Sequence, residues 1–205
     1  MSMISSNLLS QDIVLDLDQN AYTSWYDKTK ILNAINSACE FIQIYAKWPW
    51  TLTLETVESD DPKWSDLFTC KNEIIYPYWV ELDWIKMDRT NIPLIGRTKE
   101  LNDTFYVSWN VIKTSEVWKK MDVLYHRWFK RLETIWNDDI DMPQAMHQVL
   151  LHTALWFVYP SGLDIWSSLS NQHYNMMMTL LSTYWKAYGF DIQPVAAKAV
   201  SIYNK

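Results

Sequence analysis

Glycine is nearly absent: Gly96, Gly162 and Gly189 are the only three in 205 residues. A phosphate cradle or a dinucleotide fingerprint needs several glycines in one tight loop, so nucleotide binding by those routes is excluded. Cysteine is scarcer still. Cys39 and Cys70 have no CxxC spacing and are too few for a disulfide framework, which points to synthesis in a reducing compartment. Basic residues are in deficit, 18 Lys and Arg against 24 Asp and Glu, and the formal charge of −6 argues against a protein that grips nucleic acid over most of its surface. Long hydrophobic runs are missing too. The most apolar stretch, "VLLHTALWFVYP", falls well short of the roughly 20 residues a spanning helix needs. The opening "MSMISSNLLSQD" has neither a basic n-region nor a long apolar segment, so no signal peptide is expected.

Recognisable chemistry is equally sparse. Of the four histidines, His147 and His152 lie five apart, about 140° around a helix, and do not face one ion as an i, i+4 pair would. With no HExxH and no Cys partner nearby, no metal ligands are assigned. Asp138, Asp139 and Asp141 read as a solvated link ahead of a helix N-terminus, since glycoside hydrolysis needs two carboxylates facing each other across a cleft and adjacency does not supply that. Ser161 precedes Gly162 without the G-x-S-x-G context of a nucleophile elbow. No catalytic residue and no cofactor follow from these patterns.

What is present in excess is aromatic: 13 Trp and 12 Tyr, which argues for large buried contacts. Residues 1–20, with Ile13, Leu15 and Leu17 alternating with acids, suit an extended arm. From about Thr23, Trp25, Leu32, Ile35, Cys39, Ile42 and Ala46 form the stripe of an amphipathic helix. Pro49 stops it, and Trp50, Leu52 and Leu54 then alternate as in a half-buried strand, so Trp48, Pro49 and Trp50 read as a structural corner. Glu73–Tyr76, Trp79–Met87 and Asp103–Lys113 read as strands of an antiparallel meander. Ser115 is expected to cap a second helix carrying Val117, Met121, Leu124, Trp128, Leu132 and Ile135, with the basic side chains of residues 113–131 on its solvated face. Pro143 is expected in the first turn of a third helix, through Val149, Leu150 and Ala154 to Tyr159.

A fourth helix is expected from about Leu163 to Tyr188, closed by Gly189. It holds one charged residue, Asp164, before Lys186, and its apolar side chains wrap much of the cylinder. Trp166, Tyr174, Met176, Met177, Met178, Tyr184 and Trp185 are therefore expected at a subunit interface. Residues 190–205, sparsely charged and containing Pro194, read as an arm that orders by docking elsewhere. The fold class expected is α+β: a helical core of about four helices with a small antiparallel sheet inserted at about 50–113, a core spanning 21–189, and extended arms at 1–20 and 190–205.

The order of these signals, with "KILNAINSACEFIQIYAKWPWTL", "MPQAMHQVLLHTALWFVYP" and "MMTLLSTYWKAYGF", resembles the head-to-tail adaptor proteins of tailed bacteriophages, in particular the tail tubular protein A or gatekeeper type of short-tailed phages. The mid-helix pair Ile35-Asn36, the tryptophans at the helix exit, Trp48 and Trp50, and the Pro143, Leu151, Ala154, Leu155 spacing carry the likeness over about residues 22–189. The resemblance implies a non-enzymatic virion protein, made in the host cytoplasm. It implies a ring, usually of twelve copies, between portal and downstream tail protein, continuing the channel through which double-stranded DNA passes. It also implies that the C-terminal arm, through Phe190, Ile192, Val195, Val200, Ile202 and Tyr203, docks on the portal. A second expectation, from tryptophan content alone, is a binding module that stacks glycans or single-stranded nucleic acid on exposed rings.

Overall fold

The computed structural model of the chain describes residues 2–20, 22, 27–59, 65–83, 85–90, 103–135, 138–159 and 165–188. They fall into two compact units, one made of Met1–Trp50 with Phe129–Lys205 and one of Thr51–Trp128.

The first unit is helical. A short strand β1 (Met3–Ser5) leads into α1 (Ser6–Gln19), followed by α2 (Lys28–Tyr45), β9 (Asp139–Pro143), α3 (His147–Val158) and α4 (Ile165–Tyr188). The extended N-terminal arm is thus corrected to a helix. The Ser5 hydroxyl caps it by accepting from the Leu8 N–H, and Leu9, Ile13 and Leu17, spaced by four, are wholly buried. Leu15, which completed the strand-like alternation, is 56% exposed. Each of the three buried side chains contributes about 1.5–3 kcal/mol of apolar burial, enough to fold the segment back onto the unit. The acidic link is corrected as well: Asp139 and Asp141 lie on β9, which pairs antiparallel with β1 through Ile4↔Ile140 and Ser5↔Asp139. Pro143 ends that strand, and a 3-10 turn over Gln144–Met146 leads into α3.

Asp27 caps α2, its carboxylate accepting from the Lys30 N–H at 2.8 Å. The inward face of α2 is Ile31, Ile35, Ala38, Cys39 and Ile42, but it also buries two amides, Asn36 and Gln43. They hold the segment from Phe129 to Leu132. Asn36 accepts from the Leu132 N–H at 2.9 Å and donates to its carbonyl at 3.0 Å, while Gln43 accepts from the Phe129 N–H at 2.6 Å. The helix ends at the Trp48-Pro49-Trp50 corner. Trp48 is fully buried, donates its ring N–H to the Ile42 carbonyl at 2.7 Å, and stacks on Trp50 at 4.9 Å.

The second unit is a sheet with its own core, and here the expected fold class fails: the sheet is neither small nor wholly antiparallel. Its strands are β2 (Leu52–Glu58), β3 (Ser65–Thr69), β4 (Ile74–Leu82), β5 (Ile85–Arg89), β6 (Thr104–Ser108), β7 (Val111–Trp118) and β8 (Lys120–Arg127), in the order β2-β8-β4-β5-β6-β7-β3. All pairs are antiparallel except β5 with β6, a short parallel junction at Asp88↔Thr104 and Arg89↔Phe105. The helix expected from Ser115 to Ile135 does not exist. Its first part is β7 and β8, which run consecutively with a bend at Lys119 and belong to different halves of the sheet. Met121, Val123 and Tyr125 alternate inward between Lys120, Asp122 and Leu124, the two-residue period of a strand.

The sheet curls toward closure. The Glu55 carboxylate on edge strand β2 accepts from the Lys71 N–H just beyond the other edge strand, at 3.1 Å, and from the Tyr125 hydroxyl at 2.7 Å. Val57, Phe68, Cys70, Val80, Phe105, Ile112 and Val123 fill the inside of this barrel-like sheet. Leu52 and Leu54 face outward, 38% and 66% exposed, and Trp50 packs on the helical core instead of joining them.

Candidate functional site: the α4 face and a buried histidine cluster

Helix α4 carries no charged residue from Ile165 to Trp185. Its inward line is Ser170, His173, Met177 and Leu181, at helical spacing and buried. Trp166, Leu169, Tyr174, Met178, Tyr184 and Trp185 flank that line and pack part-buried against the helical core. The opposite side shows Ser168, Asn171, Gln172, Asn175, Met176, Thr179 and Thr183, all exposed and all uncharged. Three of its hydroxyls are turned back on the helix: Thr179 donates to the Asn175 carbonyl, and Ser182 and Thr183 to the Thr179 carbonyl, at 2.8–2.9 Å. This leaves a long uncharged face on which the amides of Asn171, Gln172 and Asn175 are the main polar groups.

Against the seven interface residues read from sequence, the placement is mixed. Met177 is wholly buried in this chain's own core. Trp166 lies edge-on to Tyr22 at 4.7 Å, and Tyr174 packs on Trp156 at 5.1 Å. Met176, 42% exposed, is the one that mainly faces outward. The six docking-arm residues, Phe190, Ile192, Val195, Val200, Ile202 and Tyr203, lie outside the described residues, as does Gly189.

The helical unit also assembles a polar cluster with no counterpart in the sequence reading. His152 of α3 and His173 of α4 meet Nδ1 to Nδ1 at 2.9 Å, their rings stacked. The other nitrogen of His173, Nε2, lies 3.6 Å from Asp16 Oδ1 of α1. That same carboxylate oxygen accepts from the Tyr159 hydroxyl at 2.8 Å and the Asn20 amide at 3.2 Å. Burial pushes the Asp16 carboxyl up, but hydrogen bonds from His173 and Tyr159 outweigh it and hold the group below its ordinary value. Burial and the neighbouring His173 push His152 down. Burial, with the bond to Asp16, pushes the Tyr159 phenol up. Nearer the start of α1, Asp12 faces His147 at 2.8 Å, so the two histidines set aside as metal ligands point to different partners.

Other chemistry is subdued. Cys39 is fully buried with its thiol pushed well up, and Cys70 is pushed to about 12, in both cases chiefly by burial. Among the described residues no group of three or more His, Cys, Asp or Glu could hold a metal ion. Among the described tryptophan side chains Trp109 alone is exposed, at 74%, on the turn between β6 and β7. No helix among the described residues is long and apolar enough to cross a membrane. No protein-family model and no curated protein sequence matches the chain.

Proposed function

We propose that this chain is a structural virion protein that forms a ring between portal and tail, connects head to tail and continues the DNA channel. The observation that carries the reading is the exposed face of α4, which bears no charge from Ile165 to Trp185, some 32 Å at 1.5 Å per residue. A solvated helix of that length ordinarily alternates Lys, Arg, Glu and Asp on its outer side. An uncharged face suits a neighbouring subunit, or a lumen past which DNA must slide without being held. The net charge of −6 suits the same purpose, and the sequence resemblance to phage head-to-tail adaptors supplies the assembly. In this reading the protein is not an enzyme and needs no cofactor. Its partners are further copies of itself, the portal through residues 190–205, and a downstream tail protein.

The tryptophan-platform alternative is less well supported. Stacking of sugars or bases along a strand uses several exposed rings, and among the described tryptophan side chains Trp109 is a single one.

Electron microscopy of the purified protein, alone and mixed with its proposed portal partner, tests the proposal. Rings, expected as twelvefold on the portal, support it, and deletion of Phe190–Lys205 should abolish portal binding while leaving the helical signal intact. A protein that stays monomeric in both samples overturns the ring, and undiminished binding after the deletion overturns the role of the arm.

A further inference from the structure

We propose that His152 and His173 form an acid-sensitive latch that fastens α3 to α4 at neutral pH and loosens when the pair takes up a second proton. The contact between the two Nδ1 atoms, 2.9 Å long, holds one hydrogen: one nitrogen donates and the other must offer its lone pair. A first added proton can be accommodated. His173 as a cation donates from Nδ1 to His152, and its Nε2–H points at Asp16, 3.6 Å away. A second proton cannot, because it sets N–H against N–H and brings two positive rings together where the His173 side chain is only 6% exposed.

The groups that face the pair are Asp16 and Asn20 from α1 and Tyr159 at the end of α3, with the Tyr159 ring stacked on His173. One carboxylate answers one positive charge. The sign of the pH effect follows. His152 is held below the ordinary histidine value, so as pH falls through about 6.5 the unfolded segment binds more protons than the native cluster, and the latch weakens. Asp16, held low, stays ionised through this window and does not itself titrate there. The weakened contact is the one between α3 and α4, since added positive charge on the pair only strengthens its attraction to Asp16 of α1. The Asp12–His147 contact involves a single imidazole and escapes the conflict. The latch stands whether or not the chain forms rings.

Hydrogen exchange on the full chain between about pH 7.5 and about pH 5.5, bracketing the ordinary histidine value, tests this. Protection factors of the α4 amides from Asn171 to Met177, referred to those of α2 from Ala34 to Ile42, should fall toward about tenfold per pH unit at the acid end. In His152→Phe the second protonation site is gone, and the decline in α4 protection should disappear. A flat profile in the wild type, or an unchanged decline in His152→Phe, overturns the latch. Should that variant fail to fold, the imidazole resonances of the wild type decide. Two titration steps at least about one pH unit apart are expected, and a common midpoint for both rings overturns it.

Discussion

Asn36 sits 2% exposed in the middle of α2, where a polar amide is costly unless both its ends are bonded. It pairs with both the N–H and the carbonyl of Leu132, doing for one peptide what a neighbouring strand would do. Asn36→Ala strands two buried backbone groups, and the helical unit should lose about 2–4 kcal/mol, read as a lower urea midpoint with an unchanged slope. A loss below about 0.5 kcal/mol would mean that water reaches Leu132 in the variant. The sequence marks Asn36 only as half of an Ile-Asn pair amid apolar neighbours. What it pairs with lies 96 positions away, and no local pattern carries that distance. The histidine cluster was hidden for the same reason. His152 and His173 belong to consecutive helices, and their meeting depends on how α3 and α4 pack. The corner was readable because its causes are local: Pro49 cannot continue a helix, and the Trp48 ring reaches back six residues to Ile42.

Among the elements, α2, α3 and α4 are visible as long apolar stripes, while the segment from Ser115 to Ile135 deceives because it satisfies two periods at once. Val117, Met121, Leu124 and Trp128 recur at three or four, yet Met121, Val123 and Tyr125 recur at two, and the strand wins by burying the second set between β2 and β4. Charge breaks the tie, since Lys120 and Asp122 flank the buried Met121, and Asp122 accepts from Thr56 across the ladder at 2.5 Å. The turn from β6 to β7 shows a different constraint. Trp109 adopts φ 59°, the left-handed region, and its carbonyl accepts from the Ile74 N–H at 3.0 Å, which pins the tip to the start of β4. Trp109→Gly and Trp109→Val both remove the ring, but only glycine takes that conformation freely. The glycine variant should be the more stable by about 1–2 kcal/mol in thermal unfolding, and equal stability would show that the tip does not hold its left-handed turn. In α4, the burial of Met177 and Leu181 sets a floor beneath the histidine latch: acid loosens the helix without expelling it.

At the scale of the molecule, the two hydrophobic cores share no residue. One draws on Met1–Trp50 and Phe129–Lys205 and the other on Thr51–Trp128 alone. The inserted unit begins on β2 and ends on β8, which are ladder neighbours with Leu52 opposite His126. The chain therefore leaves the helical unit and returns to it side by side, and a few Gly and Ser residues can bridge Trp50 to Phe129. Such an excised chain should keep its helical circular dichroism and unfold cooperatively, whereas collapse of the helical signal would show that the sheet sustains the helices. Neighbouring ends also set how the sheet meets force. Tension that draws the two junctions apart falls first on the rung at Leu52 and His126, then on Leu54 and Leu124, opening the ladder like a zipper instead of shearing all rungs together. Mechanical load that draws these two junctions apart therefore meets the β2–β8 seam one rung at a time.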